Sequence, residues 1–267
     1  MPRGLDHIVH AVRDLDAAAA EYKLLGFTVG ARNKHPWGTH NCILQFPGFF
    51  IELLTLAEPS KLGDDGFSKL FGAFTGEFLR RQEGLALLIL QSSDAQADAA
   101  AFSAAKIGAS ETMRFEREGK RPDGSAVKVG FSLAFAEDRL SPDIHFATCL
   151  QHYPDNFWNP AFQNHANGVE GIAGVVLVAD APESHREFLL AFSGAPNSPD
   201  DSDGFTIDLP RGVIDVMKPD SFARRFGATA PDTSRGARLA ALRCMGGPER
   251  ESSIKHAMGA VLAFDTR

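Results

Sequence analysis

The feature that most limits what this chain can fold into is a unit that returns. "GLDHIVHAVRDLDAAAAEYKLLGF", residues 4–27, reads as a short strand, an acid (Asp14) placed as a helix N-cap, a run of strong helix formers, and Gly26 as the stop. Three strand candidates follow, "FTVG", "NCILQF" and "FFIELLTL", so the order to residue 56 is β-α-β-β-β. "EGLALLILQSSDAQADAAAFSAAKIGA" repeats that grammar, with Gly84 at the place of Gly4, Leu85 of Leu5 and Asp94 of Asp14, and a helix expected to end at Gly108. "ETMRFERE", "KVGFSLAFA" and "DIHFATCLQ" supply its three further strands. A third start, "GIAGVVLVADAPESHREFLLAFSG", carries Asp180 as the helix-opening acid and continues through "FTIDLP" and "GVIDVMKP". "ARLAALRCM" and "AVLAFDT" read as two strands around a short helix, a reduced fourth unit. Such a period decides the architecture before any single element does. Consecutive strands with few helices exclude a doubly wound parallel sheet and predict an α+β fold of repeated βαβββ modules.

The segment "YPDNFWNPAFQNHANG" is rich in Pro, Asn and aromatics and lacks periodicity. It divides the chain into 1–152 (two modules), a packed linker at 153–168, and a degenerate second half at 169–267. The composition, 44% hydrophobic and 23% charged, is that of a globular protein. A net charge of −7 without any dense Lys/Arg stripe argues against a nucleic-acid partner. "PERESSIKH" reads as a solvated helix face. The N-terminus lacks the pattern of a secretory leader, and no apolar run reaches the ~20 residues of a membrane helix. Cys42, Cys149 and Cys244 lie far apart, which fits a reducing, cytoplasmic setting better than a disulfide framework.

Two residues stand out inside apolar strands. Glu52 is flanked by Phe49, Phe50, Ile51, Leu53 and Leu54, and His7 lies among Leu5, Ile8 and Val9. A buried ionised carboxylate is costly unless it is paired or bound to a metal. If the first and last strands of the unit lie side by side and curve, His7 and Glu52 face one concavity as a divalent-metal half-site or as a satisfied core pair. The loop "RNKHPWGTHN" offers Trp37 for stacking and Thr39, His40 and Asn41 for hydrogen bonds to a substrate. No G-x-S-x-G elbow, nucleotide-binding glycine pattern or H-E-x-x-H helix is present.

The phrases D-H-I-V with A-V-R-D-L-D, L-G-F-T-V, W-G-T-H-N and F-I-E-L resemble the opening of the glyoxalase-like domains of the vicinal oxygen chelate superfamily (glyoxalase, bleomycin resistance and extradiol dioxygenase proteins). The match is strong over residues 5–56, looser over 84–165, and degenerate beyond. The resemblance implies paired βαβββ modules forming curved mixed sheets around a cavity, with metal ligands on the first and last strand of each module. His7 and Glu52 fall on two of those positions. The second-module counterpart of His7 is Leu87, and the third-module one is Ala173 or Gly174, none of them a ligand. Asp215 stands where the third module would match Glu52 and reads as structural. Gln151 or His152 would complete the site.

The expected function is that of a metal-dependent lyase, isomerase or dioxygenase acting on a small substrate with vicinal oxygens. The metal is Zn, Mn, Fe, Ni or Co on His7, Glu52 and one of Gln151 and His152, with Glu52 and His40 catalytic and Trp37, Thr39 and Asn41 binding substrate. The alternative is a non-catalytic binding or sequestering protein on the same fold. The expected partner is a small molecule, with a homodimer possible and no nucleic acid or membrane.

Overall fold

β1 (Leu5–Ala11) is buried along its whole length in the computed structural model, which describes residues 1–120, 126–201, 203–247 and 253–265. A strand covered on both faces needs apolar residues on both. Leu5 and Ile8 enter one core cluster while Val9 and Ala11 enter another, on the opposite face. α1 (Leu15–Leu24) follows, and the Asp14 carboxylate accepts hydrogen bonds from the amides of Asp16 and Ala17. Gly26, at φ +85°, makes the turn after the helix. β2 (Asn33–Lys34), β3 (Thr39–Phe46) and β4 (Phe49–Leu56) complete the first unit.

A π-type turn at Ser68–Ala73 runs into α2 (Phe74–Arg81) and leads to the second unit: β5 (Gly84–Gln91), α3 (Ala95–Ala104), β6 (Met113–Lys120), β7 (Ala126–Ala136) and β8 (His145–Gln151). α4 (Pro154–Phe157) lies in the connecting segment. The third unit is β9 (Val169–Val178), α5 (Arg186–Ser193), β10 (Asp200–Asp201), β11 (Gly204–Asp208) and β12 (Val213–Met217). After α6 (Pro219–Phe226) come β13 (Arg238–Gly246), β14 (Ser253–Ala257) and β15 (Ala260–Asp265).

The first two units share one sheet, in the order β2-β3-β4-β1-β5-β8-β7-β6, and the last two share another, β10-β11-β12-β9-β13-β15-β14. This is the expected α+β architecture of βαβββ modules in curled mixed sheets. In each unit the first and last strands pair in parallel, β1 with β4, β5 with β8, β9 with β12 and β13 with β15. Units join through antiparallel first strands, β1 with β5 and β9 with β13. α1, α3 and α5 lie between the two sheets, where Tyr22, Phe102, Phe146, Phe192 and Phe264 belong to one continuous core.

Five expectations from the sequence are corrected. "FTVG" forms no ladder: Phe27 packs against Tyr22, Phe46, His165 and Phe264, and Thr28 bonds Asn164 and His165 of the connecting segment in place of a strand. α3 stops four residues before Gly108, and Lys106 takes the left-handed position at φ +59°. Asp180 caps no helix: its carboxylate accepts from Thr233 Oγ1 at 2.6 Å, and the α5 region opens at Pro182 through a 3₁₀ turn. The tail has a strand, Ser253–Ala257, where the helix of "PERESSIKH" was expected; Pro248–Ser252 lie outside the described residues. The loop "RNKHPWGTHN" is also shorter than expected, because Thr39, His40 and Asn41 already belong to β3. Among the described residues no helix is long and apolar enough to cross a membrane, and Cys42, Cys149 and Cys244 are buried and form no disulfide.

Polar bonds tie the halves together. Asp143, buried at the end of the second unit, pairs with Arg81 at 2.6 Å and with Arg238 of β13 at 3.0 Å. His10 faces away from the His7 side of β1. Its Nε2 lies 2.9 Å from the Met258 carbonyl oxygen, which can only accept, so Nε2–H donates there and Nδ1 accepts from Tyr22 Oη at 2.8 Å. Burial lowers the His10 pKa to about 4, against the pull of the Met258 carbonyl. Burial also lowers His145 to about 4.

A histidine held neutral in the fold takes up its proton more readily in the unfolded chain, at about pH 6.5. The stability from a neutral buried His10 is therefore full above pH 6.5 and falls between pH 6.5 and about 4, by about 3 kcal/mol over that window. Urea unfolding at pH 7.5 and pH 5 is expected to show a lower midpoint in acid. The His10→Gln variant, which cannot titrate, should show a shallower loss. An equal loss in both proteins would remove His10 from the account.

Candidate functional site

The concave side of the eight-stranded sheet holds a partly open cavity of about 100 Å³. Alternation places its walls. Phe50 and Glu52 project from β4, Asn41 and Ile43 from β3, Phe115 and Arg117 from β6, and His7 and Cys149 from β1 and β8. Phe67 and Phe71, ahead of and within the π-type turn, lie over it, and Phe157 reaches in from the connecting segment. The sheet curls until its two edges meet: Arg117 Nη2 of β6 donates to Asn33 Oδ1 of β2 at 3.3 Å.

One polar chain runs through this wall. Asn33 Nδ2 donates to Asn41 Oδ1 at 3.1 Å, which orients the Asn41 amide so that its Nδ2 donates to Glu52 Oε1 at 2.5 Å. Asn41 Nδ2 also approaches His35 Nε2 at 3.4 Å, while His35 Nδ1 meets Thr39 Oγ1 at 2.8 Å. Burial lowers the pKa of His35 and keeps its ring neutral, and the ring stacks on Trp37 with centroids 4.7 Å apart. Glu52 is 7% exposed, and no cation lies within ion-pair distance of it among the described residues.

A second group sits beside the first. The pairing of β1 with β5 slips between Leu5 and His7, which sets Asp6 as an extra residue next to His7. Asp6 Oδ1 accepts from His7 Nδ1 at 2.6 Å, and the His7 ring stacks on Phe50 at 4.1 Å. Cys149 completes a cluster in which one ligand atom from each of Asp6, His7 and Cys149 lies within 4.8 Å of the others. Burial pushes the Cys149 thiol well up, reinforced by the Asp6 and Glu52 carboxylates, so it carries its proton and is no nucleophile.

The residues singled out from sequence divide accordingly. His7, Glu52, Trp37 and Asn41 line the cavity, and Thr39 stands behind it as the partner of His35. His40 does not line it; it projects to the other side of β3 from Asn41, with Nε2 2.8 Å from Glu58 Oε1. Gln151 reaches Asp6 Oδ2 at 3.4 Å, and His152 is bonded to Ser132 Oγ at 2.8 Å. Gln151 is thus joined to His7 through Asp6, and His152 is held by Ser132.

Strand register identifies the counterparts of that pair. Val9 lies opposite Glu52 and Ile89 opposite Ala147, so the second unit carries Leu87 and Ala147 where the first carries His7 and Glu52. In the third unit Val176 lies opposite Asp215, which settles the His7 counterpart as Gly174. Asp215 there is held by Thr206, Arg243 and Arg225. Of the donors implied for a divalent ion, the second unit's counterparts of His7 and Glu52 are thus two apolar side chains, so Gln151 or His152 would complete the site from other positions on or after β8. The donors that do converge are Asp6, His7 and Cys149. Elsewhere, Ser141, Asp138 and His185 are buried together, but serine and aspartate both meet His185 Nδ1, which is not the arrangement of a proton relay.

Residues the sequence reading passed over include Asp6, Asn33 and Arg117. Met113, Phe115 and Arg117 alternate along "ETMRFERE", so the period of two could have put Arg117 on the inner face with Phe115. Phe67, Phe71, Phe74 and Phe78 recur at helical spacing and announced the covering helix. The slip that brings Asp6 inward leaves no mark in the sequence.

A family model described as a glyoxalase-like domain matches residues 5–192. No curated protein sequence matches the chain. Among solved structures, a hypothetical protein from Staphylococcus aureus is similar over 99% of this chain and 100% of its own, with TM-score 0.73 and 14% identity. A triple variant of 4-hydroxymandelate synthase from Streptomyces coelicolor is similar over 91% of this chain and 71% of its own, with TM-score 0.53 and 12% identity. At those identities the likeness is one of fold. With the family model covering well over half its length, the chain belongs to the glyoxalase-like domain family of the vicinal oxygen chelate superfamily.

Proposed function

We propose that the chain is an enzyme that moves a proton on a small molecule bound in the cavity of the first sheet, an isomerase- or lyase-type reaction with Glu52 as the base. The observation that carries this reading is the state of Glu52: a buried carboxylate on a strand, facing the cavity, oriented by Asn41 and neutralised by no cation among the described residues. A carboxylate so placed can take a proton from a carbon next to a carbonyl. Asn41, locked by Asn33, fixes which Glu52 oxygen is free for that transfer. His7 is the second proton carrier: Asp6 accepts its Nδ1–H, and Nε2 is the atom that exchanges a proton with a substrate oxygen. Trp37, Phe50 and Phe131 exclude water from the reacting carbon.

The test is exchange of carbon-bound hydrogen with D₂O, followed by NMR over a panel of small carbonyl compounds. The wild type is expected to exchange at least one of them, and Glu52→Gln to slow that exchange by about 10²–10⁴-fold while still binding the compound. Binding without exchange in the wild type would replace this reading with that of a sequestering protein.

A second reading is favoured by the convergence of Asp6, His7 and Cys149. These donors would suit Zn²⁺, which accepts thiolate, imidazole and carboxylate together. In that case the metal would act as a Lewis acid beside Glu52. The first reading expects D₂O exchange to survive dialysis against EDTA, with metal well below one equivalent in protein purified without tag or chelator. Stoichiometric zinc that is lost in Cys149→Ser and retained in Glu52→Gln would install the second reading in its place.

A further inference from the structure

We infer that Arg117 is an anion-recognition residue and that the molecule bound in this cavity is a small monocarboxylate with a flat apolar body. The inference rests on the proposal that this cavity is the working site and names what enters it.

Arg117 projects from β6 into the cavity, beside Phe115 and across from the Trp37–His35 stack. A guanidinium offers five N–H donors and has no acceptor. Among the described residues its one polar partner is Asn33 Oδ1, at 3.3 Å, and no carboxylate lies within ion-pair distance. The acids nearest in sequence do not serve it. Glu116 and Glu118 alternate to the other side of the strand, and Glu116 is taken by Arg114, Lys128 and Tyr153. Glu52 accepts from Asn41. Half-burial without a counter-ion lowers the Arg117 pKa through desolvation alone. A cation held this way at the wall of a partly open cavity is incomplete until an anion arrives.

The geometry also selects the anion. A carboxylate matches the guanidinium fork with two parallel bonds. A dianion would meet one cation and the Glu52 carboxylate in the same small space, so a single negative charge is the fitting one. Much of the wall is aromatic, with Phe50, Phe115, Phe131 and Phe157 around the space beside Ile43, Val129 and Leu133, which suits a flat apolar body. Asn33 and Asn41 connect Arg117 to Glu52 through three hydrogen bonds. A carboxylate docked on Arg117 is thereby placed in the same framework that orients the base.

The experiment is calorimetric titration of the full chain with phenylacetate and with phenylacetamide, its uncharged isostere. The wild type is expected to bind phenylacetate at least tenfold more tightly than the amide. Arg117→Met should remove that preference and leave the amide affinity unchanged, which also shows that the variant is folded. Arg117→Lys should keep part of the preference, since charge remains and the bidentate fork is lost. Equal affinities in the wild type, or an unchanged preference in Arg117→Met, overturn the assignment of Arg117 and leave the proton-transfer proposal standing. Binding of neither compound overturns this inference, whereas the proton-transfer proposal falls only by its own exchange test.

Discussion

The antiparallel pairing of β1 with β5 is the contact on which the rest of the molecule depends. Each βαβββ unit alone presents one parallel pair and a bare first-strand edge, too little to bury both faces of a strand. Joining two such edges makes an eight-stranded sheet whose central strands are covered on both sides. Twist then accumulates outward from the seam until β2 and β6, the two edges, come within a hydrogen bond through Asn33 and Arg117. The cavity is the space inside that curl. The same operation between β9 and β13 builds the second sheet, and the helices pack the two sheets back to back.

A seam between like units does not make the units alike in chemistry. The β1 side of it carries Asp6 and His7, and the β5 side carries Ala86 and Leu87. Most polar groups of the cavity wall thus come from the first unit, His7, His35, Asn41 and Glu52, with Arg117 and Cys149 from the second, while aromatic groups come from both. In a low-dielectric space every polar atom must be answered, and the chain Arg117–Asn33–Asn41–Glu52 does this with neutral amides between a cation and an anion. Amides in that position orient both charges without quenching either, which a direct Arg117–Glu52 contact would do.

The architecture was legible because it is periodic: the pattern of Gly4, Leu5 and Asp14 returns at Gly84, Leu85 and Asp94, and both acids cap helices as read. At Asp180 the pattern misled, because the residue's partner, Thr233, is distant in sequence. The inward-facing histidine and glutamate were legible from apolar neighbours on both sides. What surrounds them was not. Asp6 enters by a slip of register, which alternation cannot foresee, and Asn33 and Arg117 meet only because the sheet curls. His40 and Asn41 were indistinguishable while they were read as loop residues. Once β3 is seen to begin at Thr39, alternation separates them onto opposite faces.

The second sheet supplies a control for the first. Asp215 occupies the register position of Glu52, opposite Val176 as Glu52 is opposite Val9. Its carboxylate is gripped by Arg243 at 3.1 Å and Arg225 at 3.5 Å, with Thr206 donating a further bond. α6 sends Phe222 and Phe226 into the apolar cluster on that sheet's concave face, together with Val176, Val178 and Met217. A carboxylate neutralised twice can hold structure but has little left for a ligand, and the space of about 430 Å³ beside Phe222, Ala228, Ala240 and Val261 is lined without it. Glu52 differs in both respects: amides stand where guanidinium groups would neutralise it, and its carboxylate lines the cavity on its own sheet. The difference between the two halves therefore lies in what surrounds the same strand position: two arginines at Asp215, and amides with no cation in ion-pair distance among the described residues at Glu52.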